Sequence, residues 1–313
     1  MSKPTIEVHV NNNPPCEAAL ESVMKNEIWN IKNQPYLSLS GKNFENGIRE
    51  IKVTGGNEIL YEGSTVIKDH AFDVKIELET PMADLKTLEI TVGEQCYEMP
   101  IKLSRIYGKV KYFDGSPIKN PIINITGKEI AAVGDDQGNF EIYLCGKETQ
   151  IGVFQEDYSK ETLEAWIYNI DLAEDTELNI SIDKMEVYGI HMWTGEVSDY
   201  LHFIPMSLSR IQNAMKQGVK SELEILGTEG VWPTLNKSDV TVLANEEEVK
   251  ILSFQEIPDF LTEHDNKVYS RPGYVISIPK GHRNKVIKIE INDEVEVENE
   301  TITEKGEGYY IWR

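Results

Sequence analysis

The chain is poor in cysteine and histidine, has no long apolar run and carries no excess of positive charge. Its three cysteines among 313 residues, Cys16, Cys96 and Cys145, are too few and too scattered for a disulfide framework, and no Cys-x-x-Cys pair points to zinc. That usage fits a reducing compartment. Cys145, in the apolar run EIYLC, is expected to be a core thiol. No stretch approaches the ~20 apolar residues of a membrane span. The opening MSKPTIEVHVNNNPP lacks the apolar core of a secretory leader. The expected location is therefore cytoplasmic, with non-classical export or a removed leader as the alternative. The 31 Lys and Arg stand against 53 Asp and Glu, a net charge of -22. Phosphate backbones are gripped by cations that displace counterions, so neither nucleic acid nor an anionic lipid surface is an expected partner. The acidity reads as a solubilising surface. Catalytic signatures are also missing: there is no P-loop, no G-x-G-x-x-G after a strand, no G-x-S-x-G elbow and no H-E-x-x-H. A non-enzymic protein with no cofactor is expected.

What is present is a β rhythm. Apolar residues make up 40% of the chain, enough to build cores and to exclude a disordered chain. The length suits about two domains of average size, or three sandwiches of about 100 residues each. Short stretches of alternating apolar and polar residues, cut by Gly, Asn and Asp, put one face of each strand inside and the other in water. In block 1–104 they are Thr5 to Val10, Tyr36 to Leu39, Glu50 to Thr54, Phe72 to Leu78, Thr87 to Val92 and Gln95 to Ile101. The last two are joined by a Gly93-Glu94 hairpin turn. Block 105–186 has strands at Ile106 to Tyr112, Ile122 to Thr126, Asn139 to Cys145, Gln150 to Gln155, Leu163 to Ile167 and Glu177 to Ile182. Block 187–313 opens with VYGIHMW and YLHFIP. It continues with Ser221 to Leu226, Asp239 to Leu243, Glu248 to Ser253, Tyr274 to Ile278, Val286 to Ile291 and Tyr309 to Trp312, with a turn at Asn292-Asp293. The segment Glu290 to Glu307 reads as a solvated edge hairpin. The expected fold class is all-β: tandem β-sandwich modules, Ig-like or transthyretin-like, with one or two short helices. One helix is expected over Cys16 to Lys25, after Pro14-Pro15. The other lies near 209–217, opened by a Ser209…Gln212 capping box, with Ile211 and Met215 on one face and Gly218 as its stop.

Residues Arg105 to Glu186 resemble a carboxypeptidase regulatory-like domain, a small sandwich of the transthyretin type. The resemblance rests on Gly108-Lys109-Val110, Asp114-Gly115-Ser116-Pro117-Ile118, Pro121-Ile122-Ile123-Asn124-Ile125 and Asp135-Asp136-Gln137-Gly138-Asn139-Phe140. It implies a spacer or interaction unit and no chemistry, and no H-x-x-E zinc motif accompanies it. Pro35-Tyr36-Leu37-Ser38-Leu39-Ser40-Gly41-Lys42-Asn43-Phe44 is similar to Ig-like modules of the IPT type.

The densest polar and aromatic cluster runs from Ile190-His191-Met192-Trp193 to Asp199-Tyr200-Leu201-His202-Phe203. A hairpin centred between Glu196 and Val197 sets His191 opposite His202 and Trp193 opposite Tyr200. Paired Cβ atoms ~4.5–5.5 Å apart let two imidazoles share a metal ion, with Asp199 as an oxygen ligand. The competing reading makes the histidines structural, one donating to a backbone carbonyl, and the rings a packed pair. Trp166, Trp193, Trp232 and Trp312 are candidates for stacking on sugars, or else core anchors. Trp232, beside Pro233 after a Gly-Thr-Glu-Gly turn, is expected to be the most exposed of the four. Trp193, Tyr200 and Trp232 thus form the stacking set, and His191, His202 and Asp199 the metal set. Asp135 to Asn139 resembles part of an EF-hand loop without its closing Glu and reads as a β-turn. The sequons Asn124-Ile125-Thr126 and Asn299-Glu300-Thr301 carry weight only in a secreted chain. The functional expectation is a structural or interaction protein with a protein partner. A carbohydrate-binding protein is the alternative, and a metal-dependent hydrolase on His191 and His202 comes third.

Overall fold

The computed structural model describes residues 3–11, 36–78, 86–101, 103–126, 130–145, 147–172, 174–219, 224–225, 227–228, 230–264 and 266–313. The helix expected at Cys16 to Lys25 and the side chain of Cys145 lie outside them. The fold is all-β, with twenty-two strands among the described residues.

The first module holds β1 (Thr5–Asn11), β2 (Tyr36–Lys42), β3 (Gly47–Gly55), β4 (Glu58–Ile67), β5 (Ala71–Glu77), β6 (Thr87–Val92) and β7 (Gln95–Pro100). Sheet β1-β2-β5 and sheet β4-β3-β6-β7 bury alternate residues such as Leu37, Leu39, Val53, Leu88 and Ile90 in one core. Gly93 takes positive φ in the β6–β7 turn, as its position between two alternating runs demands.

The second block supplies β8 (Leu103–Tyr112), β9 (Ile122–Ile125), β10 (Ile130–Val133), β11 (Asn139–Cys145), β12 (Glu148–Phe154), β13 (Ala165–Ile170) and β14 (Thr176–Ile182). Sheet β11-β8-β14 covers the inner residues of β9, β12 and β13. Gly108 shows why this block needs its glycine. A Cβ there would sit 2.0 Å from the Leu178 carbonyl oxygen on the adjacent strand. The Asp135 carboxylate accepts from the amides of Gln137 and Asn139, both at 2.9 Å, so this loop closes on itself as a turn.

The last block contributes β15 (Met185–Thr194), β16 (Ser198–Ser207), α1 (Leu208–Lys216), β17 (Val240–Ala244), β18 (Glu247–Glu248), β19 (Ser253–His264), β20 (Lys267–Pro279), β21 (Lys285–Val297) and β22 (Glu300–Trp312). One eight-stranded sheet, β10-β9-β12-β13-β22-β21-β17-β18, runs across the boundary expected at 186/187. Its junction is a parallel pairing of β13 with β22, Trp166 opposite Gly308 and Tyr168 opposite Tyr310. Alternation along β22 then divides its side chains. Tyr309 and Ile311 enter the core under β11-β8-β14. Trp312 and Tyr310 join the core under β15-β16-β20-β19. Each face of the long sheet is thus covered over a different half.

Several local expectations change. The turn expected at Asn292-Asp293 is continuous strand, paired with Lys305 and Glu304. The chain reverses instead at Glu298-Asn299, both at positive φ. The β21–β22 hairpin is central rather than an edge, and it buries Asp293, Glu304 and Glu307. The helix is capped by Ser207, whose hydroxyl accepts from the Arg210 amide at 3.2 Å, not by Ser209. Met215 is exposed on that helix. Of the strand expected at Ser221 to Leu226, the described Glu224 and Ile225 are helical. The strands β4, β10 and β19 were not foreseen.

Candidate binding face on the C-terminal sheet

Sheet β15-β16-β20-β19 turns one face to its core and the other outward. The inner residues are apolar: Leu201, Phe203, Tyr274, Ile276 and Ile278 are buried in the core beneath. Alternation sends the intervening residues to the outer face, and register arranges them in rows. Trp193 pairs with Tyr200, Tyr200 with Ser277, and Ser277 with Ser253. The next row is His191, His202, Val275 and Gln255. Further along, Gly273 pairs with Ile257 and Arg271 with Asp259.

The expected register of the hairpin is the one observed, with His191 opposite His202 and Trp193 opposite Tyr200. The indole and phenol rings lie stacked, centroids 5.4 Å apart and planes 8° from parallel. Trp193 is 44% exposed. The tight turn beneath is closed by the Gly195 amide donating to the Ser198 carbonyl at 2.9 Å. A Cβ at Gly195 would meet the Tyr200 ring at 2.6 Å, so glycine there gives the ring its seat.

The two histidines have different surroundings. His191 is exposed and His202 half-buried. A bulge between Tyr188 and His191 brings the Gly189 carbonyl within 3.2 Å of His202 Nδ1. The Gly189 amide donates to the Tyr168 hydroxyl at 2.8 Å. His202 Nε2 lies 2.9 Å from where a Cβ on residue 273 would be, so Gly273 makes room for the ring. Asp199 stands apart: it has the parity of Leu201 and Phe203, is 3% exposed and faces away from both imidazoles. The set His191, His202 and Asp199 is therefore split across the sheet. Among the described residues, no group of three or more His, Cys, Asp or Glu is placed to hold a metal ion.

Trp232 is half-buried, less open than Trp193, which corrects the order of exposure expected from its turn. Its ring centroid is 6.0 Å from the Arg271 guanidinium, which lies 4.8 Å from the Tyr188 ring. Arg271 is also held by Asp259 at 2.8 Å and donates to the Tyr188 hydroxyl. Burial is the main reason that the Tyr188 phenol is pushed well above its ordinary value. This second cluster was missed because Tyr188, Trp232, Asp259 and Arg271 come from distant segments, and only pairing of β20 with β19 joins two of them. Of the other tryptophans, Trp312 is 5% exposed and serves the core, and Trp166 is half-buried.

No family model and no curated protein matches the chain. Solved structures with which it aligns include a "putative carbohydrate binding protein" from Bacteroides uniformis, at 11% identity and TM-score 0.21 over 66% of this chain and 95% of that one. Another is a DUF3823 family protein from Bacteroides ovatus, at 8% identity and TM-score 0.20, covering 68% of this chain and all of that one. A third, a DUF3823 family protein from Parabacteroides merdae, has 10% identity and TM-score 0.19 over 68% and 100%.

Proposed function

We propose that this chain is a non-catalytic binding protein of linked β-sandwich modules, and that it engages a protein partner through the outer face of β15-β16-β20-β19. The observation that carries the reading is the exposed Trp193 stacked on Tyr200 at the end of that face. Trp, Tyr and Arg are the side chains that dominate binding energy at interfaces, so a partly exposed stacked pair is a fitting anchor. Val197, 80% exposed at the adjoining turn, extends the apolar spot. Around it the face is polar, with His191, Ser253 and Gln255, as the rim of an interface is.

A second reading is favoured by the same rings. A flat indole bordered by hydroxyl, amide and imidazole groups also suits a sugar, which stacks its C–H face on the ring and hydrogen-bonds at its edges. One experiment separates the two. Wild-type protein and Trp193→Ala are compared by cross-linked capture from the native source and by affinity electrophoresis through a panel of polysaccharides. A protein captured by wild type and lost in the variant supports the first reading. Retardation by a polysaccharide, lost in the variant, replaces it with the second. Capture and mobility unchanged by the substitution would remove this face from the function.

A further inference from the structure

The eight-stranded sheet creates a step. Its face toward β11-β8-β14 is covered over β22 by the edge strand β14, and beyond that edge β21 and β17 continue, with Glu290 and Thr241 half-buried and Asn292 exposed. Register places Lys288 opposite Tyr309, Glu290 opposite Glu307 and Asn292 opposite Lys305 on this face. Thr241 of β17 pairs with Glu290 and joins them. The corner between this floor and the edge strand is a cavity of about 340 Å³. That is the volume of about eleven waters in the liquid and the size class of a single sugar.

Its construction is mainly polar. The edge strand is tied to the floor by the Ser181 amide, which donates to Glu307, and by the Tyr309 hydroxyl, 3.0 Å from the Asn179 carbonyl. Lys288, 8% exposed, is held between Glu246 at 2.9 Å and Glu290 at 3.0 Å. Its charge is therefore already matched. Lys111 and Lys305 also line the cavity, and neither makes an ion pair among the described residues. Lys305 lies 5.9 Å from the Phe113 ring, which adds one apolar wall. In a chain of net charge -22, the cleft is locally balanced, with Lys111, Lys288 and Lys305 facing Glu246, Glu290 and Glu307. Glu246 and Glu290 are taken by Lys288, and Glu307 by the Ser181 amide and the Tyr309 hydroxyl, which leaves Lys111 and Lys305 as its cationic contacts for a ligand. Of the remaining lining, Asn179, Asn292 and Thr241 offer hydrogen bonds in both directions, as hydroxyl groups require, and Ile291 is apolar. Pockets for apolar ligands are lined mainly by hydrophobic side chains, and this one is not.

We infer that this inter-module cleft is a binding site for a small polyhydroxylated carboxylate of hexuronate type. The carboxylate meets Lys111 and Lys305, the hydroxyls meet the amides and Thr241, and the C–H face lies toward Phe113. The site is separate from the outer face of β15-β16-β20-β19 and does not depend on it.

The test is calorimetric titration of the full chain with glucuronate, glucose and acetate. Saturable binding of glucuronate is expected, at least about ten-fold tighter than either of the others, because each lacks one half of the recognition. Losing one charge-assisted contact weakens binding about ten-fold or more. Lys305→Ala and Lys111→Ala should each do so, while Lys52→Ala in the first module leaves the affinity unchanged. Lys305 is exposed, so its variant keeps the fold, which an unshifted unfolding midpoint verifies. No saturable binding of glucuronate would overturn the proposal, as would equal binding of acetate or indifference to both lysine variants.

Discussion

At the scale of single residues, the unusual feature is the set of carboxyl groups kept from water. Glu307 is 2% exposed, and burial pushes its carboxyl up to about 7 from an ordinary 4.5. Glu164 is pushed up to about 7 by the same cause, and Glu186, beside it, is raised well above the usual carboxylate range by burial and then by the Glu164 charge. The Tyr309 hydroxyl has one hydrogen and two neighbours, the Asn179 carbonyl and Glu307. A protonated Glu307 supplies the second hydrogen. The unfolded chain gives up this proton near pH 4.5 and the folded chain near 7, so between those values the folded state binds more protons. Stability contributed by Glu307 is complete below about 4.5 and falls as pH rises through 7, by at most about 3 kcal/mol. Urea denaturation should therefore give a higher midpoint at pH 5.5 than at pH 8. Glu307→Gln, which keeps a donor and never ionises, should raise the pH 8 midpoint and flatten part of the slope. A midpoint that rose with pH would show these carboxyls to be ionised in the fold.

At the scale of elements, β22 does most to join the last two blocks. Its side chains alternate between two cores, and its backbone pairs with β13 on one side and β21 on the other within one sheet. Ile311 is fully buried, and truncating such a residue costs about 2–5 kcal/mol. Ile311→Ala lies in the core under β11-β8-β14, but the strand carrying it also bears Trp312 in the other core. Calorimetry of the variant should show residues 103–313 still melting as one transition, shifted down as a whole. Two separate transitions within that region would mean that the shared strand does not couple the cores.

At the scale of the whole molecule, charge and modularity act together. The first module has its own core and should unfold as a second, independent transition. The net charge of -22 favours expansion through self-repulsion, which salt screens within about 10 Å at 0.1 M. Raising sodium chloride from low to moderate concentration should therefore raise both midpoints. A fall would point to attractive pairs, such as Arg210 with Asp293 at 2.6 Å, outweighing repulsion.

What the sequence determined by itself was the local layer. Two-residue alternation marked most strands, Gly93 marked its turn, and the composition of the hairpin set His191 against His202 and Trp193 against Tyr200, because hairpin register depends only on neighbours in the chain. The same locality explains the errors. Asn292-Asp293 has turn composition, yet pairing on both sides of β21 holds it extended. Glu304 and Glu307 look like surface residues, yet the Ser207 hydroxyl meets the first and the Ser181 amide of β14 the second, both from segments about a hundred positions away. Asp199 is three residues from His202 in sequence, and the pleat puts it on the other face. The long sheet, the divided strand β22 and the cleft at its step arise from contacts between distant segments, and only the tertiary structure decided them. Hydrophobic alternation states which face of a strand is buried but not which other strand will bury it.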